Sequence, residues 1–108
     1  MSGPVALPSP RGVQQIPVTT AAEMKAAVLD LAGDIDIMFG VAAVADYRPI
    51  RSEPHKIKKT QQNGPSISMD LIENDDILAS VAALPDPPYL VGFAAETQNP
   101  IKNAVHKR

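Results

Sequence analysis

Cations crowd one short stretch of this sequence. Arg48, Arg51, Lys56, Lys58 and Lys59 stand together with Glu53 as the lone acid among them and His55 mostly neutral. Grouped cations neutralise a triphosphate and stabilise the charge that develops as pyrophosphate leaves. The plainer alternative is a solvated loop. Asp46 precedes them at the end of an apolar run, where a carboxylate suits a ribose hydroxyl or a magnesium-bound phosphate. A turn or cap aspartate is the competing role. Asn74, Asp75 and Asp76 read first as the cap of a helix, and second as a helix entrance whose backbone N–H groups meet a polar ligand. Phe93 reads as a packed strand residue or as a ring that stacks on a base, and Tyr47 as a core residue with a polar tip. Glu96 and Thr97 either cap a last helix or face the ligand.

The elements around these residues must put them in one place. Residues 2–12 form a proline-rich entry, and Val13–Val18 fits a short strand. Thr20 and Glu23 have capping-box spacing, and Met24, Ala27, Val28 and Leu31 follow on one helical face. Gly33 sits where a helix-ending glycine belongs. Ile35–Val44 is apolar apart from Asp36, as expected of a strand buried on both faces in a parallel sheet. Its small-residue end, Gly40, Ala42, Ala43 and Ala45, admits close approach to the backbone. A long polar connection spans 46–65, and such loops are often functional. Ser66–Leu71 alternates like a half-buried strand. Asn74 opens a second helix with the stripe Ile77, Leu78, Val81 and Leu84, which Pro87 and Pro88 end. Tyr89–Ala94 is a further strand, and residues 98–108 begin a third helix. The pattern predicts an α/β layered sheet, with ligands outside the carboxyl ends of strands at 40–46 and 92–97.

Composition narrows the chemistry. The 108 residues include no cysteine, which excludes a disulfide framework, a thiolate zinc site and a catalytic thiol within the chain. The two histidines, His55 and His106, lie far apart in sequence. No P-loop, dinucleotide fingerprint or nucleophile elbow is present. A net charge of −2 gives no whole-chain pull toward nucleic acid or an anionic membrane. No apolar run approaches the roughly 20 residues that span a bilayer. The expectation is a cytoplasmic protein with neither nucleic-acid nor membrane partners.

Five ordered segments resemble one family. Ser2–Pro8 is similar to its "SGPVxLP" segment, and Ala42–Pro49 to "AAVADYRP". Lys56–Lys59 is similar to its "KIKK" loop, Asn74–Leu78 to "NPDIL" with Asp75 in place of proline, and Val91–Thr97 to "VGFAAET". Together they identify the chain as resembling bacterial phosphopantothenate–cysteine ligase, the C-terminal domain of the DNA/pantothenate metabolism flavoprotein.

That resemblance implies a Rossmann-like three-layer sheet, mostly parallel, formed as a single partial domain over residues 1–108 and incomplete at both ends. It implies CTP-dependent coupling of 4′-phosphopantothenate to L-cysteine through an acyl-cytidylate, with Mg2+. A homodimer is implied, with a fused or separate flavin decarboxylase as partner; FMN belongs to that decarboxylase domain, which this sequence lacks. By motif, Gly40, Val41 and Ala42 lie against the nucleotide and Asp46 binds it. Lys56 acts on the triphosphate and the intermediate. Asn74, Asp75, Asp76 and Ile77 line the pocket, Phe93 sits beside it, and Lys107 is a further nucleotide-binding lysine. No metal ligand is assigned within the chain. The alternative is a non-catalytic member of the same family that binds a nucleotide or a partner subunit.

Overall fold

The computed structural model describes residues 1–52, 55, 66–93 and 105. Its first helix, α1, spans Ala21–Leu31. Thr20 lies in the extended region (φ −113°, ψ 159°), and its hydroxyl accepts from the Glu23 N–H at 3.1 Å. The Glu23 carboxylate accepts in return from the N–H groups of Thr20 and Thr19, at 3.2 and 2.7 Å. This is the capping box expected from the spacing. The end of the helix differs from expectation. Gly33 is no left-handed stop, because Gly12 alone among the described glycines has positive φ. Instead α1 tightens into a 3₁₀ turn over Ala32–Asp34 that keeps Ala32 buried against the core.

Two parallel strands carry the site. Strand β1 is Ile37–Gly40 and β4 is Tyr89–Gly92, in register from Ile37 opposite Tyr89 to Gly40 opposite Gly92. The Tyr89 N–H donates to the Asp36 carbonyl at 2.8 Å and opens the ladder. A parallel pair needs a crossover. Here it contains β2 (Tyr47–Pro49), β3 (Leu71–Glu73) and helix α2 (Ile77–Ala82). Strands β2 and β3 form a separate antiparallel ribbon, extended by the Ile50 N–H to the Asp70 carbonyl at 3.0 Å.

The core lies on one face of the parallel pair. Val28, Ala32 and Val81 are buried, with Met24, Leu29, Met38, Ile77, Leu84 and Leu90 packed around them. Side chains alternate along a strand, so Met38, Gly40, Leu90 and Gly92 share this face. Glycine at the last two positions lets α2 come close. A Cβ on Gly40 would sit 2.9 Å from Leu78 Cδ2, and one on Gly92 3.0 Å from Leu78 Cδ1. Leu78 therefore rests on the paired glycines.

Several expected elements are shorter or placed differently. The strand expected over Ile35–Val44 runs only through Gly40, because its partner β4 ends at Gly92. It is not buried on both faces, since Ile37 and Phe39 are exposed. The strand expected over Val13–Val18 is one bridge, Ser2 to Pro17. Proline has no N–H, so the bonds run through its neighbours, Ser2 N–H to the Ile16 carbonyl and Val18 N–H to the Ser2 carbonyl. Ser66–Leu71 is not a half-buried strand: the ladder covers Leu71–Glu73, and Ile67, Met69 and Leu71 are exposed. The long connection begins as strand β2 rather than loop. The third helix expected over 98–108 falls almost wholly outside the described residues, of which Val105 is helical.

Gly40→Ala should lower stability by about 1 kcal/mol, because the new methyl displaces Leu78 from its seat. In a urea-denaturation cycle the loss should shrink when Leu78→Ala is already present. Additive losses would show that Leu78 does not depend on the glycine.

Candidate functional site

A cleft of about 570 Å3 opens beyond the carboxyl ends of β1 and β4. Its size suits a small-molecule ligand. One wall is the chain leaving β1: Gly40, Val41 and Ala42, then Val44, Ala45, Asp46 and Tyr47. The opposite wall is Glu73, Asn74, Asp75 and Asp76 with the first turn of α2, Ile77 and Leu78. Met24, Val28 and Met38 back it with apolar surface, and Phe93 closes the side beyond β4.

Nine of the residues singled out by sequence meet here: Gly40, Val41, Ala42, Asp46, Asn74, Asp75, Asp76, Ile77 and Phe93. Lys56 and Lys107 lie outside the described residues, as do Lys58, Lys59, Glu96 and Thr97. Phe93 is an exposed ring rather than a packed strand residue, and Tyr47 is exposed at the cleft rather than in a core. Tyr47 opens β2 and Phe93 follows β4, and both line the cleft.

The three polar residues before α2 have separate tasks. The cap is Asp76, not Asn74: Asp76 Oδ1 accepts from the Ala79 N–H at 2.9 Å, and the Asp76 carbonyl accepts from the Ser80 N–H and hydroxyl. Helix α2 starts later than the sequence suggested because Asn74 is engaged elsewhere. Its Nδ2 donates to the Ala45 carbonyl at 2.8 Å, and its Oδ1 accepts from Arg48 Nη1 at 2.9 Å. Its backbone N–H donates to the Asp46 carbonyl at 2.7 Å. Asp75 pairs with Lys25 of α1 at 2.7 Å. The Lys25 hydrogen bond and charge hold the Asp75 carboxyl below the ordinary aspartate range, with a smaller pull from Arg48. No sequence signal marked Lys25, which lies 50 positions from its partner. Leu78 was legible only as part of a helical stripe.

The charge layout limits what these residues hold. Arg48 was expected to face phosphate with the lysines; its Nη1 instead donates to the Glu73 carbonyl and to Asn74. Among the described residues no side-chain hydrogen bond engages the Asp46 carboxylate, and Asp46 lines the cleft. No three His, Asp or Glu side chains among the described residues converge on a point that would hold a metal ion. The described residues therefore offer no three-ligand cage for a cation.

A short parallel sheet, helices packed on it and a cleft outside its carboxyl ends define a Rossmann-like α/β domain with a cleft of small-molecule size. Residues 1–108 match the family model described as the DNA/pantothenate metabolism flavoprotein C-terminal domain, and the chain belongs to that family. It is 49% identical over 109 aligned residues to the "Coenzyme A biosynthesis bifunctional protein CoaBC" of Escherichia coli (strain K12), covering 100% of this chain and 27% of the relative. It is 48% identical to the protein of the same description from Vibrio cholerae, over 92% of this chain and 25% of the relative. The chain thus spans about a quarter of the length of these curated relatives. A crystal structure of the C-terminal domain of a CoaBC protein superposes with a TM-score of 0.77 at 33% identity, covering 97% of this chain and 46% of that one. No helix among the described residues is long and apolar enough to cross a membrane.

The Lys25–Asp75 pair gives a titration test. A depressed folded-state pKa contributes stability above the unfolded value, and that contribution is lost as pH falls through the folded value. The pair is exposed, so the contribution is small. Carboxyl-carbon NMR should show Asp75 titrating below the ordinary aspartate range, and Lys25→Gln should raise the Asp75 midpoint. An unmoved midpoint in Lys25→Gln would remove the assignment.

Proposed function

We propose that this chain supplies the nucleotide cleft of a phosphopantothenate–cysteine ligase that uses CTP. The observation that carries the reading is the convergence on one cleft at the strand ends of nine residues, seven of them from three separate sequence motifs and two, Gly40 and Val41, just before the first of these. The relatives from Escherichia coli and Vibrio cholerae are described as coenzyme A biosynthesis proteins, which supports the pathway.

In this reading the substrate carboxylate attacks the α-phosphorus of CTP. The bond between the α-phosphorus and its bridging oxygen breaks, pyrophosphate leaves, and an acyl-cytidylate remains. The cysteine amine then attacks the acyl carbon, loses a proton, and expels CMP as the amide forms. Such chemistry asks the protein chiefly to position reactants and to stabilise departing negative charge. The small-residue exit of β1, Gly40 to Ala42, lets the nucleotide approach the backbone. Asp46 offers its carboxylate to a sugar hydroxyl. Phe93 offers an exposed ring face to the base. Lys56 and Lys107 supply the cationic side of the site. Magnesium, when bound with the nucleotide, would offset phosphate charge, as hard oxygen-seeking ions do at nucleotide sites. The proposed assembly is a homodimer acting with a flavin decarboxylase.

The test is pyrophosphate release that depends on CTP and 4′-phosphopantothenate. These 108 residues would replace the equivalent segment of the Escherichia coli relative. The chimera should turn over, and Lys56→Ala should slow it by roughly 100- to 1,000-fold, the range for losing one group that stabilises transition-state charge. Asp46→Asn should raise the KM for CTP about tenfold, as loss of one charge-assisted hydrogen bond does. A fully active Lys56→Ala chimera would sink the loop assignment, and a chimera indifferent to CTP would sink the reaction.

A further inference from the structure

Arg48 stands at the head of the cationic stretch, yet its contacts are with the protein itself. Its Nη1 donates to the Glu73 carbonyl and to Asn74 Oδ1, each at 2.9 Å. Arginine can only donate, so it fixes which end of the Asn74 amide faces it. The other end, Nδ2, then donates to the Ala45 carbonyl at 2.8 Å. The Asn74 N–H reaches the Asp46 carbonyl at 2.7 Å. One arginine and one asparagine thereby join two segments more than 20 positions apart in sequence. Those segments are the two walls of the cleft: Ala45 and Asp46 on one side, Glu73 to Asp76 on the other.

The arrangement has a direct consequence for binding. Asn74 has both polar ends of its side chain engaged, and its backbone N–H as well. Its side chain is a strut of the wall. The Asp46 backbone is anchored through its carbonyl, and the residue lines the cleft. Arg48 holds this geometry from behind, and its guanidinium is absent from the cleft lining.

We propose that Arg48 is a positioning residue, which sets Asp46 and the entrance of α2 for the nucleotide through Asn74 and does not itself carry the phosphates. This rests on the nucleotide reading of the cleft, and it departs from the simple electrostatic role that the cationic stretch suggests. A phosphate-binding cation and a wall clasp differ in which ligands notice its loss. A phosphate contact matters to CTP and not to cytidine, which has no phosphate. A clasp that places Asp46 matters equally to both.

The experiment titrates this chain with CTP and, separately, with cytidine, following amide chemical shifts by NMR, a readout that reaches millimolar affinities. Arg48→Ala should weaken both ligands by the same factor, about tenfold. Asn74→Ser, which retains the Arg48 charge, should weaken both in the same way. The double variant should be no weaker than either single one, since all three break one network. Loss of CTP affinity with cytidine affinity intact in Arg48→Ala would overturn the proposal, as would an Asn74→Ser chain that binds both ligands normally. A second arm needs no ligand. Hydrogen exchange at the Asn74 amide should speed up about tenfold in Arg48→Ala while the Val28 and Val81 amides keep their protection. An unchanged Asn74 rate would refute the clasp whatever the titrations show. A wild-type chain that binds neither ligand but shows the exchange change would leave the clasp standing and reject the nucleotide reading.

Discussion

The site depends on one packing contact: Leu78 seated on the paired glycines Gly40 and Gly92. Helix α2 has six residues and would not persist alone. It is held because Leu78 enters a depression that a Cβ at either glycine would crowd. Val81, three positions on, is fully buried, and Ile77 packs beside it, so the short helix has one apolar face against α1 and the sheet. That seating brings the α2 entrance over the strand ends and makes a cleft where an open sheet would have only an edge. The glycines expected to admit a ligand also admit a leucine, on the core face.

Charge at the cleft is largely internal to the protein. Asp75 is matched by Lys25, Asp76 caps α2, and Arg48 serves the Glu73 carbonyl and Asn74. These are exposed or half-exposed hydrogen bonds, each worth little by itself. Their value is geometric. Lys25 ties the loop before α2 to α1, and Arg48 ties it to β2. A three-residue loop thus has a tether at each of its first two members and a helix cap at the third.

Local signals in the sequence were reliable where the physics is local. The Thr20–Glu23 capping box, the face bearing Val28 and the stripe through Val81 follow from contacts within a few residues, whereas α2 ends at Ala82, short of Leu84 and of the stop expected at Pro87 and Pro88. Strand limits did not, because a ladder ends where its partner ends, and nothing near Gly40 reveals that β4 stops at Gly92. The alternation of Ile67, Met69 and Leu71 promised a buried face, but burial depends on what packs against it. Asn74 shows the same limit. Residue type makes it a good cap, and Asp76 is an equally good one two positions later. The choice between them was made by Arg48, across 26 positions of chain. The motif resemblance drew nine residues to one cleft but carried no information on Lys25 or on what Arg48 does.

The small core explains why the clasp matters. Among the described residues the buried hydrophobics are Val18, Val28, Ala32 and Val81. Ile37, Phe39 and Tyr89 leave the second face of the parallel pair exposed, and Ile50, Leu71 and Ile72 do the same on the ribbon. Little apolar burial therefore fixes the β1 exit, where Ala42 to Asp46 offers no large side chain to anchor. A stretch of alanines is easy for a ligand to approach and equally easy to displace. Hydrogen bonds from Asn74 to the Ala45 and Asp46 carbonyls supply the constraint that side-chain packing cannot provide there. Small residues and a polar strut are two halves of one solution: the first keeps the backbone accessible, and the second keeps it in place.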